Sequence, residues 1–119
     1  MKIYKKFDKK VIEEGNRLLM TSCRKAIERS RSDEGAYKHV KCSFNTAKQL
    51  FLSIRWNNKK LYENWMTLTK NYLDHPNQTD RLRLRPTLDR IDSQGHYFIN
   101  NLQVITFGQN ASKARTKSA

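Results

Sequence analysis

At 119 residues the chain has room for one domain, or for one compact domain with an extended N-terminal arm. Its 24 Lys and Arg against 11 Asp and Glu give a formal charge of +13, which costs self-repulsion and favours a polyanionic partner, nucleic acid first. Two cysteines are too few for a disulfide scaffold or a four-cysteine zinc site, and no apolar run approaches the ~20 residues of a membrane span.

A mean hydropathy of -0.87 implies a modest core. Five Phe, five Tyr and two Trp can anchor it, because each ring buries a large area. The start, MKIYKKFDKK, is charged and lacks the apolar stretch of a signal peptide, so the expectation is a soluble, cytoplasmic protein. Cys23 and Cys42 are expected to be reduced, buried small hydrophobes. His39, His75 and His96 have no finger-like spacing with them.

In chain order, residues 1–31 carry ten Lys or Arg and four acidic residues, so any helix here has a strongly basic face. Ile12, Leu19, Cys23 and Ile27 recur at helical spacing, which predicts a helix from about Asp8 to Ser30, weakened at Gly15. It either packs on the core and shows its cations to water, or binds DNA, or does both. Residues 30–44 read as a loop with a short extended piece around Tyr37, Val40, Cys42 and Phe44. Asn45 or Thr46 caps a second helix over Ala47, Leu50, Phe51 and Ile54, and Asn57-Asn58 makes a turn. Leu61, Trp65, Leu68 and Tyr72 define a third, amphipathic helix. Trp56 and Trp65 are expected to be packing anchors. DHPNQTDR is loop chemistry, and RLRLRP then alternates in a strand's period, so Arg81, Arg83 and Arg85 should project together towards phosphates. The solvated edge strand is the competing reading of that row.

Residues 85–115 hold the most specific pattern. TLDRI reads as a strand, SQGHY as a turn, VIT as a β-branched run after Asn101-Leu102, and Asn110 enters a basic, helix-prone end followed by a frayed KARTKSA tail. The order LDRID, GHY, NNLQVIT, QN resembles the HNH, or ββα-metal, endonuclease motif, in the LDRID…GxY…N form of small phage and bacterial proteins.

The predicted helices of the basic residues 1–80, packed with the ββα-metal motif that the resemblance implies over residues 81–119, give an α+β fold in one compact domain. The resemblance implies that Asp89 and Asn110 are ligands of one divalent ion, Mg²⁺ or else Mn²⁺, and that Asn101 braces the strand ends. Gly95 and Tyr97 match the turn, and Lys113 and Arg115 fall where the family places basic residues. Arg90 stands where the standard motif has its catalytic His. A guanidinium does not take a proton from water, but it can stabilise charge on a phosphate. The base must then be sought elsewhere. His96 has the ordinary imidazole range of ~6.5 in its favour. Asp92, close behind Asp89, is expected to share its face if the strand continues, and so to bind metal or orient water. His75 is a third option.

The expected function is a metal-dependent DNA endonuclease, acting on double-stranded DNA, phage-encoded and working in the host cell. The first rival is a non-catalytic nucleic-acid-binding protein that keeps a degenerate HNH scaffold. The second is a structural or RNA-associated basic protein. The sequence leaves recognition site and oligomeric state open.

Overall fold

The computed structural model describes residues 6–30, 44–77, 81–91 and 101–118, with side chains described as far as Ser112. The fold is α+β and mostly helical. Helix α1 spans Lys9–Ser30, α2 Ala47–Asn57 and α3 Lys59–Asp74; strands β1, Pro86–Arg90, and β2, Leu102–Thr106, lead into helix α4, Phe107–Ser118.

The three N-terminal helices form where their apolar periodicity places them. Thr46, not Asn45, caps α2: its Oγ1 accepts the Gln49 N–H at 3.1 Å. Asn58 ends α2 by donating its N–H to the Ile54 carbonyl, and starts α3 by accepting the Leu61 N–H on its side chain at 3.1 Å. One residue thus serves two helix ends, which makes the Asn57-Asn58 corner tight.

Gly15 costs helix propensity but is buried at the crossing of α1 and α3. A Cβ there would overlap the Met66 sulfur and come within 3.3 Å of Thr69 Oγ1. The bare backbone instead lets the Trp65 indole N–H reach the Gly15 carbonyl at 2.8 Å. Beside it, the Tyr62 hydroxyl donates to Asn16 Oδ1 at 2.6 Å. Trp65, Leu19, Cys23, Leu50, Ile54 and Met66 have no measurable exposure, so the expectation for Trp65 and for Cys23 is met.

Trp56 is different: half its surface is exposed, and the Arg55 guanidinium lies 5.1 Å from its ring centre. Its place on α2 explains this. Leu50, Phe51 and Ile54 form the buried stripe, and Trp56 is two residues beyond Ile54, about 200° around the helix.

RLRLRP is not a strand. Arg81 is helical in backbone, Leu82–Leu84 form a 3₁₀ turn, and only Arg85, held extended by the following proline, leads into β1. The reason is pairing. β2 matches Pro86 through Arg90, Thr106 opposite Pro86 is its last residue, and the chain then enters α4. Among the described residues, 81–84 have no strand beside them, and the Arg85 N–H closes the turn on the Leu82 carbonyl. The three arginines therefore do not form a row: Arg81 lies over Tyr72 and Arg85 over Phe107, at 5.1 and 5.0 Å.

β1 and β2 pair antiparallel in one sheet. Leu88 and Leu102 turn inwards and join the core of α1, α2 and α3, so helices and sheet share one hydrophobic cluster. The backbone of α4 runs helical to Ser118, through the tail expected to fray. Among the described residues no helix is long and apolar enough to cross a membrane. Tyr37, His39, Val40 and Cys42 lie outside the described residues.

Replacing Gly15 by Val should lower stability by about 1–3 kcal/mol, the cost of overpacking, measured as a shift in the urea midpoint. An unchanged midpoint would mean that α1 and α3 are further apart. Burial raises the Tyr62 phenol above its ordinary 10.0, against smaller lowering effects of Arg55 and the Asn16 hydrogen bond. Its contribution is thus fully present below pH 10 and is lost as pH climbs above that value. Tyr62→Phe should make the alkaline limb of the stability–pH curve shallower.

Candidate functional site

The β1–β2 register sorts the candidate residues by face. Directly opposed residues share a face, and neighbours along a strand alternate. Pro86, Leu88 and Arg90 thus belong to one face with Leu102 and Val104, the face that meets the core. Thr87 and Asp89 belong to the other, with Gln103 and Ile105. Asp89 is half-buried there, and Gln103, its cross-strand partner, donates its amide to Asp89 Oδ2 at 2.9 Å. Thr87 Oγ1 donates to the Ile105 carbonyl at 2.9 Å. Among the described residues from Arg81 onwards, Asp89 is the sole acidic side chain.

Asn110 is carried by α4, whose start is locally encoded. Thr106 and Gln109 form a reciprocal capping box: the Gln109 N–H donates to Thr106 Oγ1 at 3.1 Å, and the Thr106 N–H donates to Gln109 Oε1 at 2.9 Å. The Phe107 N–H extends the ladder by bonding the Arg85 carbonyl at 2.7 Å, so α4 starts with no loop after β2. Gly108 then lets the helix lie on the 3₁₀ turn, since a Cβ there would stand 3.2 Å from the Arg83 carbonyl. Asn110, half-buried, faces a cleft that it shares with Thr87 and Arg85. The strand–strand–helix order thus puts Asn110 and Thr87 on one cleft, which Asp89 does not line.

Asn101 stands at the entrance of β2, where its backbone carbonyl accepts the Ile91 N–H at 2.8 Å and lengthens the hairpin ladder by one bond. Strand alternation sets Arg90 opposite to Asp89, on the Leu88 face. β1 ends at Arg90, and Ile91 is a bend. Asp92 stands three positions after Asp89 in the sequence, an offset that would give opposite faces in a strand, so the expected shared face does not follow. Asp92, Gly95, His96 and Tyr97 lie outside the described residues, as do the side chains of Lys113 and Arg115. His75 closes α3 and is tied locally, its Nδ1 accepting the Asn77 N–H at 3.2 Å. Among the described residues there is no cluster of three or more His, Cys, Asp or Glu able to hold a metal ion.

Gln103, Thr106 and Gln109 were not anticipated. The Thr-x-x-Gln signature of the box is visible in TFGQ, whereas Gln103 is found only once the strand register is known. Comparison with protein-family models, with curated proteins and with solved structures gives no match to this chain.

Thr106→Ala removes one half of the capping box. It should destabilise the protein by about 0.5–2 kcal/mol in equilibrium unfolding. A neutral result would show that β2, and not the cap, holds the start of α4.

Proposed function

We propose that the chain is a small metal-dependent endonuclease that hydrolyses phosphodiester bonds in DNA through an HNH-like site on β1, β2 and α4. One observation carries this reading: an antiparallel strand pair runs directly into a helix, with Asp89 on the outer face of the first strand and Asn110 early in the helix. The resemblance of LDRID…GHY…NNLQVIT…QN assigns ligand roles to those same two residues.

The donor chemistry fits a hard divalent cation. A carboxylate and a carboxamide offer oxygen ligands, and Mg²⁺ keeps several positions for water and phosphate oxygens. When bound, such an ion supplies charge stabilisation at the scissile phosphate and the leaving oxygen. The chain's own groups do the rest. Gln103 holds one oxygen of Asp89, which orients the carboxylate on the wet face. Arg85, its guanidinium stacked on Phe107, offers a fixed cation to phosphate oxygens. Arg90 accepts no proton, and strand alternation puts it on the face away from Asp89. Proton removal from water falls to His96 or Asp92. The excess of basic residues favours a polyanionic substrate, and the resemblance points to duplex DNA.

Arg90 in the place of a base also supports a second reading, a nucleic-acid-binding protein on the same scaffold without cleavage. Nicking of supercoiled plasmid in Mg²⁺ or Mn²⁺ separates the two. The expected outcome is nicking that EDTA abolishes and that Asp89→Ala lowers by orders of magnitude. Absence of metal-dependent cleavage from pH 6 to 9 on several substrates sinks the enzyme and leaves the binding protein. Undiminished cutting by Asp89→Ala would show that the site is elsewhere.

A further inference from the structure

The resemblance leaves α1 without a role, and the cleft beside Asn110 suggests one. One wall is α1, where Leu18, Thr21, Ser22, Lys25 and Arg29 follow each other at helical spacing along a single stripe. The opposite wall is the start of β1 and of α4, contributing Arg85, Thr87 and Asn110. The described lining holds three cationic side chains, Lys25, Arg29 and Arg85, and no acidic one. The Ser22 hydroxyl adds a polar group on the same stripe, while that of Thr21 is donated to the Arg17 carbonyl at 3.1 Å. The ion pairs Lys6–Glu63, Lys9–Glu13, Glu14–Arg17 and Lys70–Asp74 engage their carboxylates at residues that do not line it. Glu28, the one acidic residue of α1 after Leu18, is exposed and lies outside the lining, so the cleft-facing stripe of α1 carries positive charge.

Size narrows the ligand. The cleft volume of about 160 Å³ is well below the roughly 300–1,000 Å³ of pockets that enclose a whole small molecule. It suits a single phosphate group of a chain that runs across the opening. The positive end of α4 opens on the same cleft and adds to its attraction for an anion.

We infer that this cleft is a phosphate subsite that grips the backbone of a nucleic-acid strand, with Lys25 and Arg29 of α1 as one jaw and Arg85 and Asn110 as the other. The subsite rests on the nucleic-acid part of the reading above and is independent of whether the chain cuts. In it α1 is a backbone clamp: it reads no base, and it holds the strand's phosphate against the start of β1 and of α4. Arg85 has a fixed guanidinium plane because it lies on Phe107, whereas Lys25 is an exposed, mobile point charge.

The test is duplex binding by fluorescence anisotropy in EDTA, where metal-dependent cleavage is silent, over a series of salt concentrations. Lys25→Gln and Arg29→Gln should each lower the slope of log K against log salt by about 1 and weaken binding equally on two unrelated sequences. Lys25→Arg should restore the slope, and Lys48→Gln, on exposed α2 outside the cleft, should leave it close to wild type. Circular dichroism melting confirms that the variants fold; Lys25 is exposed, so its removal leaves the core intact. Unchanged slopes in both cleft variants overturn the subsite. Tight binding of inorganic phosphate by a protein whose duplex affinity ignores Lys25 and Arg29 also overturns it, in favour of a small free anion. Plasmid that stays uncut while the slopes fall as expected removes the nuclease and keeps the clamp.

Discussion

Everything on the C-terminal side of the molecule depends on how closely α1 approaches α3. That distance is set at Gly15, where the absence of a side chain lets Met66 and Thr69 press against the helix backbone and Trp65 bond its carbonyl. A buried indole N–H without a partner would carry a desolvation cost of about 1–3 kcal/mol, so the contact also fixes the rotation of α1 about its axis. Once the rotation is fixed, the apolar stripe through Leu19, Cys23 and Ala26 meets the core, and the adjacent stripe through Ser22, Lys25 and Arg29 faces β1. A glycine that weakens the helix thereby decides which of its faces meets the strand–strand–helix unit.

That unit is small, and a two-stranded sheet is marginal by itself. Its stability comes from Leu88 and Leu102, which are buried against the helices. Because the side-chain period of a strand is two, burying those leucines turns Thr87, Asp89 and Gln103 outwards. Asp89 is therefore placed by the core, through residues that have no chemistry of their own. The same alternation sends Arg90 to the other face, which sets the two neighbours of the LDRID run to different work.

Electrostatics act on this frame and do not build it. The described ion pairs are exposed, and pairs of that kind contribute roughly 0–1 kcal/mol each. Their more telling effect is on where charge remains. Stacking of Arg55 on Trp56, Arg81 on Tyr72 and Arg85 on Phe107 keeps three guanidinium groups at defined places on the surface instead of in a row. A protein of this charge needs such order if it is to present a backbone-sized groove and not a diffuse basic surface.

The sequence by itself determined the three N-terminal helices, nearly to the residue, because their apolar spacing, Thr46 and Asn58 are local signals. It also determined the strand, strand, helix succession from Pro86 onwards, since TLDR and LQVIT have strand chemistry and TFGQ caps a helix. Function was legible only as a resemblance in residues 85–115 and as an excess of positive charge. Tertiary structure decided the rest. It took RLRLR out of the sheet, because the partner strand ends opposite Pro86 and unpaired backbone must bond within itself. It exposed Trp56, because the helix already had a buried stripe on the other side. And it set Lys25 and Arg29, sixty or so residues from Arg85 in the chain, across one cleft from it. No local pattern encodes that meeting; it follows from a close helix crossing at Gly15, which is a property of packing and not of spacing.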